Sequence, residues 1–131
     1  MTSAAYTLYH NLSARMWRPA KPGDHLVIGW SDTFGSLGRS TYDLDTPEGV
    51  CGAVFHRHNL DQRPDGQLAP SASVGDVIAL ARDGHPVQFW TVDRIGFAPV
   101  LPEAFASMTL HEGPYREAIE RPGVRAIAWG E

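Results

Sequence analysis

The stretch from Phe55 to Phe97, FHRHNLDQRPDGQLAPSASVGDVIALARDGHPVQFWTVDRIGF, constrains the fold more than any other part of the chain. Val77 to Ala81 is a near-continuous apolar run launched by Val74-Gly75-Asp76, and Val87 to Asp93 is a second β-prone run. Between them stands Asp83-Gly84, a pair suited to a two-residue type I′ turn because both positions need positive φ. A β-hairpin is the expected result, with Gly96 marking a bulge or the strand end.

A helix is equally well marked upstream. Thr46 can cap it, Pro47 suits the first helical position, and Glu48 places negative charge at the positive end of the dipole. Val50, Cys51, Val54, Phe55 and His58 then fall on one face at helical spacing, while His56 and Arg57 point elsewhere. Asn59 is an acceptable stop near His58. Asn59 to Ala72 reads as a loop, with Arg63-Pro64-Asp65-Gly66 as a type I turn.

Elsewhere, Tyr6 to His10 reads as a first strand. HLVIGW (residues 25–30) reads as a second, with Leu26 and Ile28 on one face and Val27 on the other. Pro22-Gly23-Asp24 precedes it much as Val74-Gly75-Asp76 precedes VIAL, and a turn feeding an apolar strand explains both. Ser31 to Tyr42 is rich in Ser, Gly and Thr and reads as an irregular loop. Pro102 to Met108 suits one or two helical turns, Gly113-Pro114 introduces a short helix through Ile119, and Val124 to Trp129 alternates as a final strand. The order β-β-α-β-β-(α)-α-β predicts an α+β domain: a small, mainly antiparallel sheet with one principal helix and a short C-terminal helix.

The 131 residues suit a single domain spanning 1–131, and at 43% hydrophobic the chain can build its own core. Its 11 basic residues against 15 acidic ones give a net charge of -4, which is not the footprint of a general nucleic-acid binder. The one cysteine, Cys51, excludes an internal disulfide and a thiolate zinc cage. The N-terminus does not read as a secretory signal and no apolar run is long enough to span a membrane, so a cytoplasmic location is expected.

Several groupings invite a chemical reading. His56 and His58 with Asp61 could ligate a metal, but residues two apart on a helix lie about 200° apart and diverge. Cys51 sits within the buried stripe, which favours a core role over a nucleophile. Ser73 and the scattered histidines lack a Gly-x-Ser-x-Gly elbow, and Gly35 to Ser40 lacks the spacing and lysine of a phosphate loop. No catalytic residue, metal or cofactor is assigned. What remains is a candidate binding set: Trp17 flanked by Arg15 and Arg18, together with Asn59, Asp61 and Arg63. Pairing of Asp61 and Arg63 with Asp93 and Arg94 would pin the loop to the sheet; the alternative is a recognition surface held on a rigid scaffold.

FHRHNLDQRPDG, SASVGDVIAL and FWTVDRIGF together resemble the YodL-like domain. The opening YTLYHNLSARMWRPAKPGDHLV is similar to actinobacterial members of that group. The resemblance covers about residues 6–100, leaves the Ser31–Asp45 loop unaligned, and makes 101–131 an extension packed on the core. It implies no catalytic residues and suggests a small accessory protein of plasmids, phages or integrated elements. The resulting expectation is a non-enzymatic binding protein of a mobile genetic element, acting through a protein partner. A nucleic-acid-binding module using Arg15, Arg18, Arg57 and Arg63 is the first alternative, and a small metal-dependent hydrolase using His58 and Asp61 the second. An exposed C-terminal strand would in addition favour a homodimer.

Overall fold

A computed structural model describes residues 4–13, 17–38, 41–60, 62–64, 70–121 and 124. Six strands form one sheet: β1 (Ala4–Asn11), β2 (His25–Thr33), β3 (Val77–Arg82), β4 (Gln88–Val92), β5 (Phe97–Val100) and β6 (Thr109–His111). Among the described residues, the helices α1 (Pro47–Arg57), α2 (Pro102–Ala106) and α3 (Tyr115–Ile119) accompany them, and Phe34–Leu37 makes a 3₁₀ turn. The strand order is β5-β4-β3-β1-β2-β6, antiparallel throughout except for the parallel β2–β6 pair. This is the expected α+β class with one principal helix.

The apolar alternation of the strands explains the layers. Tyr6, Leu8, Ile78, Leu80 and Val92 face α1, whose Val50, Cys51 and Val54 pack on them. Farther along the same face, Leu12 and Val27 meet Ala118 of α3 and Val124. The opposite face buries Leu26, Val77 and Val100 beneath α2, where Phe105 stacks on Phe89 at 4.0 Å between ring centroids. β3 is apolar on both sides because both of its faces are covered.

Helix α1 begins as its caps dictate. The Thr46 hydroxyl accepts from the Gly49 N–H at 3.1 Å, and Pro47 opens the helix. It ends one residue earlier than the spacing suggested, with His58 as the C-cap and the Asn59 carboxamide reaching back to the Phe55 carbonyl at 2.7 Å.

Four details differ from the sequence reading. The hairpin is not a two-residue turn: β3 ends at Arg82 and β4 starts at Gln88, because Pro86 has no N–H to enter the ladder. Gly84 still takes positive φ there, at 78°. Two strands were missed, β5 just after Gly96 (φ 73°) and the three-residue β6. Ser31 to Thr33 continue β2 rather than starting a loop. Leu26 and Ile28 share a face as read, but Ile28 is 53% exposed while Leu26 is buried. Between them and Trp30 the register slips, leaving Gly29 as the extra residue of a bulge. The ring of His10 occupies the space a side chain at Gly29 would need. Apart from Val124, the predicted strand Val124–Trp129 lies outside the described residues, as does the Asp65-Gly66 half of the predicted turn.

The two Gly-Asp turns are the structural junction of the sheet. Gly23 and Gly75 both have positive φ, 88° and 94°, and the aspartates that follow are buried. Asn11, at the end of β1, donates from Nδ2 to Asp24 Oδ2 at 3.0 Å and to the Gly75 carbonyl at 2.9 Å. Its backbone N–H donates to Asp76 Oδ1 at 2.9 Å, and its Oδ1 accepts from the Ser13 N–H at 2.8 Å. Replacing Asn11 by alanine strands buried polar groups on both turns, at a cost of about 3 kcal/mol. Urea unfolding should show that loss for Asn11→Ala, whereas Asn59→Ala at the exposed helix end should change stability little.

Candidate functional site

Trp17 is 66% exposed, and two contacts tether the chain at its carbonyl side. Arg18, the next residue, makes a two-pronged ion pair with Asp24: Nη1 to Oδ2 at 2.9 Å and Nη2 to Oδ1 at 2.8 Å. Burial alone would raise the Asp24 carboxyl, but the bonds from Arg18, Asn11 and the Lys21 N–H outweigh it and hold it below the usual range. In addition, Arg94 Nη2 donates to the Trp17 carbonyl at 3.4 Å. Arg94 belongs to the β4–β5 turn, whose tip residue Ile95 is 94% exposed. Trp17 is therefore an exposed aromatic on tethered backbone.

The C-terminal half of α1 carries a directed hydrogen-bond chain. Arg57 Nη1 donates to the Tyr6 hydroxyl at 2.9 Å, and that hydroxyl lies 3.0 Å from His58 Nε2. Arginine can only donate, so the Tyr6 oxygen accepts from Arg57, and the direction of the bond between that hydroxyl and His58 Nε2 follows the histidine tautomer. The same Nη1 also reaches Ser36 Oγ at 2.8 Å and Asp32 Oδ2 at 3.2 Å. His58 is buried, and burial first, then the positive field of Arg57, pushes its pKa down to about 4. His56 is on the other side of the helix, exposed, with its ring 6.2 Å from that of Tyr42. Burial, with Glu48 nearby, pushes the Cys51 thiol up to about 12, and the residue belongs to the core.

Two clefts flank Tyr42. A cleft of about 470 Å³ is lined by Ser36, Thr41, His56 and Arg57 with Leu37 and Leu60. A smaller one of about 240 Å³ runs between Phe55, Phe97 and Gly52, with Asp93 and Arg94 among its polar residues. Tyr42 leans so closely on Gly52 that an added Cβ there would meet its ring at 2.6 Å.

The predicted binding set is only partly brought together. Trp17 and Arg18 are adjacent and anchored, Asn59 closes the end of α1, and Arg63 is half-buried with its N–H on the Leu60 carbonyl at 3.2 Å. Arg15 and Asp61 lie outside the described residues. Among the described residues, no hydrogen bond joins Trp17 or Arg18 to Asn59. Asp93 accepts from the Arg94 N–H at 2.7 Å, and Arg94 tethers Trp17. The spacing gave no hint of the Asn11–Asp24–Asp76 junction or of the Arg57–Tyr6 bond, which span the chain. The repeated Gly-Asp was the one local signal for the first. Among the described residues, no group of three metal-ligating side chains converges, and no helix is long and apolar enough to cross a membrane.

His58 makes stability pH-dependent. The unfolded chain takes up its proton below about 6.5, while the folded protein resists until about 4. Its contribution is therefore complete above 6.5 and is lost as pH falls from there to 4, by roughly 3 kcal/mol. Urea midpoints across that window should fall for the native chain and flatten in His58→Gln. A slope unchanged by the substitution would assign the acid loss to other groups.

The family comparison fits this geometry. The profile of the YodL-like domain matches residues 33–102, from the end of β2 through α1, β3, β4 and β5 into α2. The match starts later than the resemblance at residue 6 suggested, and it takes in most of the Ser31–Asp45 loop. No curated protein and no solved structure matches the chain. Spanning just over half of the sequence, the match makes this chain a member of the YodL-like domain family.

Proposed function

We propose that the chain is a non-enzymatic binding protein of a mobile genetic element, and that it engages a protein partner through the surface around Trp17. The observation that carries this reading is the exposed indole on a backbone tethered by the Arg18–Asp24 pair and by Arg94. Tryptophan and arginine dominate the energetics of protein interfaces, and an anchor already held in place loses less entropy on binding. Ile95, next to Arg94, adds apolar surface at the neighbouring turn. His10, His58 and Cys51 are buried among internal partners, which supports binding over catalysis as the role of the exposed surface. The mobile-element setting, with an actinobacterial origin, rests on the resemblance of the sequence motifs. The acidic balance favours protein over nucleic acid as the partner.

Capture from a cell lysate tests the surface. A discrete protein retained by the native chain and by a Leu101→Ser control should be lost with Trp17→Ala and reduced with Ile95→Ser, all four chains unfolding at similar urea concentrations. Equal capture by all variants removes Trp17 from the interface. Retained nucleic acid that washes off steeply as salt rises would favour the nucleic-acid alternative instead.

A further inference from the structure

The cleft between the 3₁₀ turn and the end of α1 contains an arginine that is only half used. Among the described residues, the side-chain hydrogen bonds of Arg57 all run through Nη1, to Tyr6, Ser36 and Asp32. Its Nε and Nη2 hold no partner among the described residues, and neither is buried, the side chain being 25% exposed. These two nitrogens form the side-on edge of the guanidinium, with two parallel N–H groups spaced to match the two oxygens of a carboxylate or phosphate. The two hydrogens of Nη1 serve three acceptors, one of them shared, and hold the plane of the group in place, so the free edge needs little ordering to bind.

The surroundings suit an anion. The hydroxyls of Ser36 and Thr41 and the imidazole of His56 line the same cleft. The end of α1 would oppose negative charge, but each of its last carbonyls has a donor. Val54 accepts from the His58 N–H at 3.0 Å, Phe55 from Asn59 Nδ2 at 2.7 Å, His56 from the Asn59 N–H at 3.1 Å and Arg57 from the Leu60 N–H at 3.5 Å. Asp32 neutralises Arg57 from the Nη1 side, which sets an affinity below that of an unpaired arginine.

We propose that this cleft binds a small molecule through an oxyanion group, a carboxylate or a phosphate, seated on the Nε–Nη2 edge of Arg57. The proposal is independent of the Trp17 surface, and neither stands or falls with the other.

The arginine Nε–H signals in NMR read this edge directly. Titrating inorganic phosphate, phenyl phosphate, acetate and benzoate should move the Arg57 signal selectively, with Arg94 as the exposed control. Tighter binding of the phosphates assigns the head group as phosphate, and tighter binding of the acids as carboxylate. His56→Ala and Thr41→Val, which carry no bond to the core, should each weaken binding by up to about tenfold. Arg57→Lys, which keeps the charge and removes the fork, should abolish binding, read from the backbone amide shifts of Thr41 and His56 that accompany it in the native chain. An Arg57 signal that moves no more than that of Arg94 with every probe overturns the proposal, as does binding unchanged in all three variants.

Discussion

One carboxamide, that of Asn11, joins the turns from which β2 and β3 start. A buried carboxylate is tolerated only when its oxygens are met by donors, and both turn aspartates satisfy that requirement at this point. Asp24 receives Arg18, Asn11 and the Lys21 N–H; Asp76 receives His10 Nδ1 at 3.1 Å, the Asn11 N–H and the Ser73 N–H at 3.0 Å. Thr91 extends the junction, donating to the Asp76 carbonyl at 3.1 Å and accepting from the Ala20 N–H at 2.9 Å. Four stretches of chain are thus held in mutual register by polar contacts inside an otherwise apolar sheet. Such groups are costly if any member is missing, and that is what makes the arrangement specific.

The parts of this structure that could be read in the sequence are those set by neighbours along the chain. Thr46, Pro47 and the Val50/Cys51/Val54 stripe define α1 because capping and helical periodicity act within a few residues. The apolar runs of β1 to β4 were legible for the same reason. β5 and β6 were not, since Phe97–Val100 contains Pro99 and Thr109–His111 is too short to show alternation; both are strands by virtue of the edges they join. The candidate site was legible only as far as an exposed tryptophan between arginines. That Arg94, 77 residues away, holds its carbonyl depends on tertiary structure, as does the Tyr6 hydroxyl that orients Arg57.

Hydrogen-bond direction recurs as a theme. Arg57 donates to Tyr6, which bonds His58, and another arginine starts a second chain at the β6 edge of the sheet. There Arg121 donates to His111 Nδ1 at 3.3 Å, so a neutral His111 offers its Nε2 hydrogen to His25 Nδ1, 2.7 Å away. Arg121, bonded directly to His111 Nδ1, fixes the tautomer of that neutral imidazole, whereas Arg57 acts on His58 only through the Tyr6 oxygen. Burial first, then His25 and Arg121, keeps His111 below its ordinary pKa.

The sheet order carries an implication for what the family shares. β1 lies at the centre, between β3 and β2, yet both β1 and nearly all of β2 precede residue 33, where the family match begins. A fragment cut to the matched residues would keep the local β3–β4–β5 meander and α1. It would leave one long edge of β3 unpaired and remove Tyr6 and Leu8 from beside Ile78 and Leu80 in the core. In this chain the shared segment is an incomplete folding unit. The strand that completes it arrives from the far end of the sequence, across a closure of about seventy residues, and it brings Asn11 and Tyr6 with it.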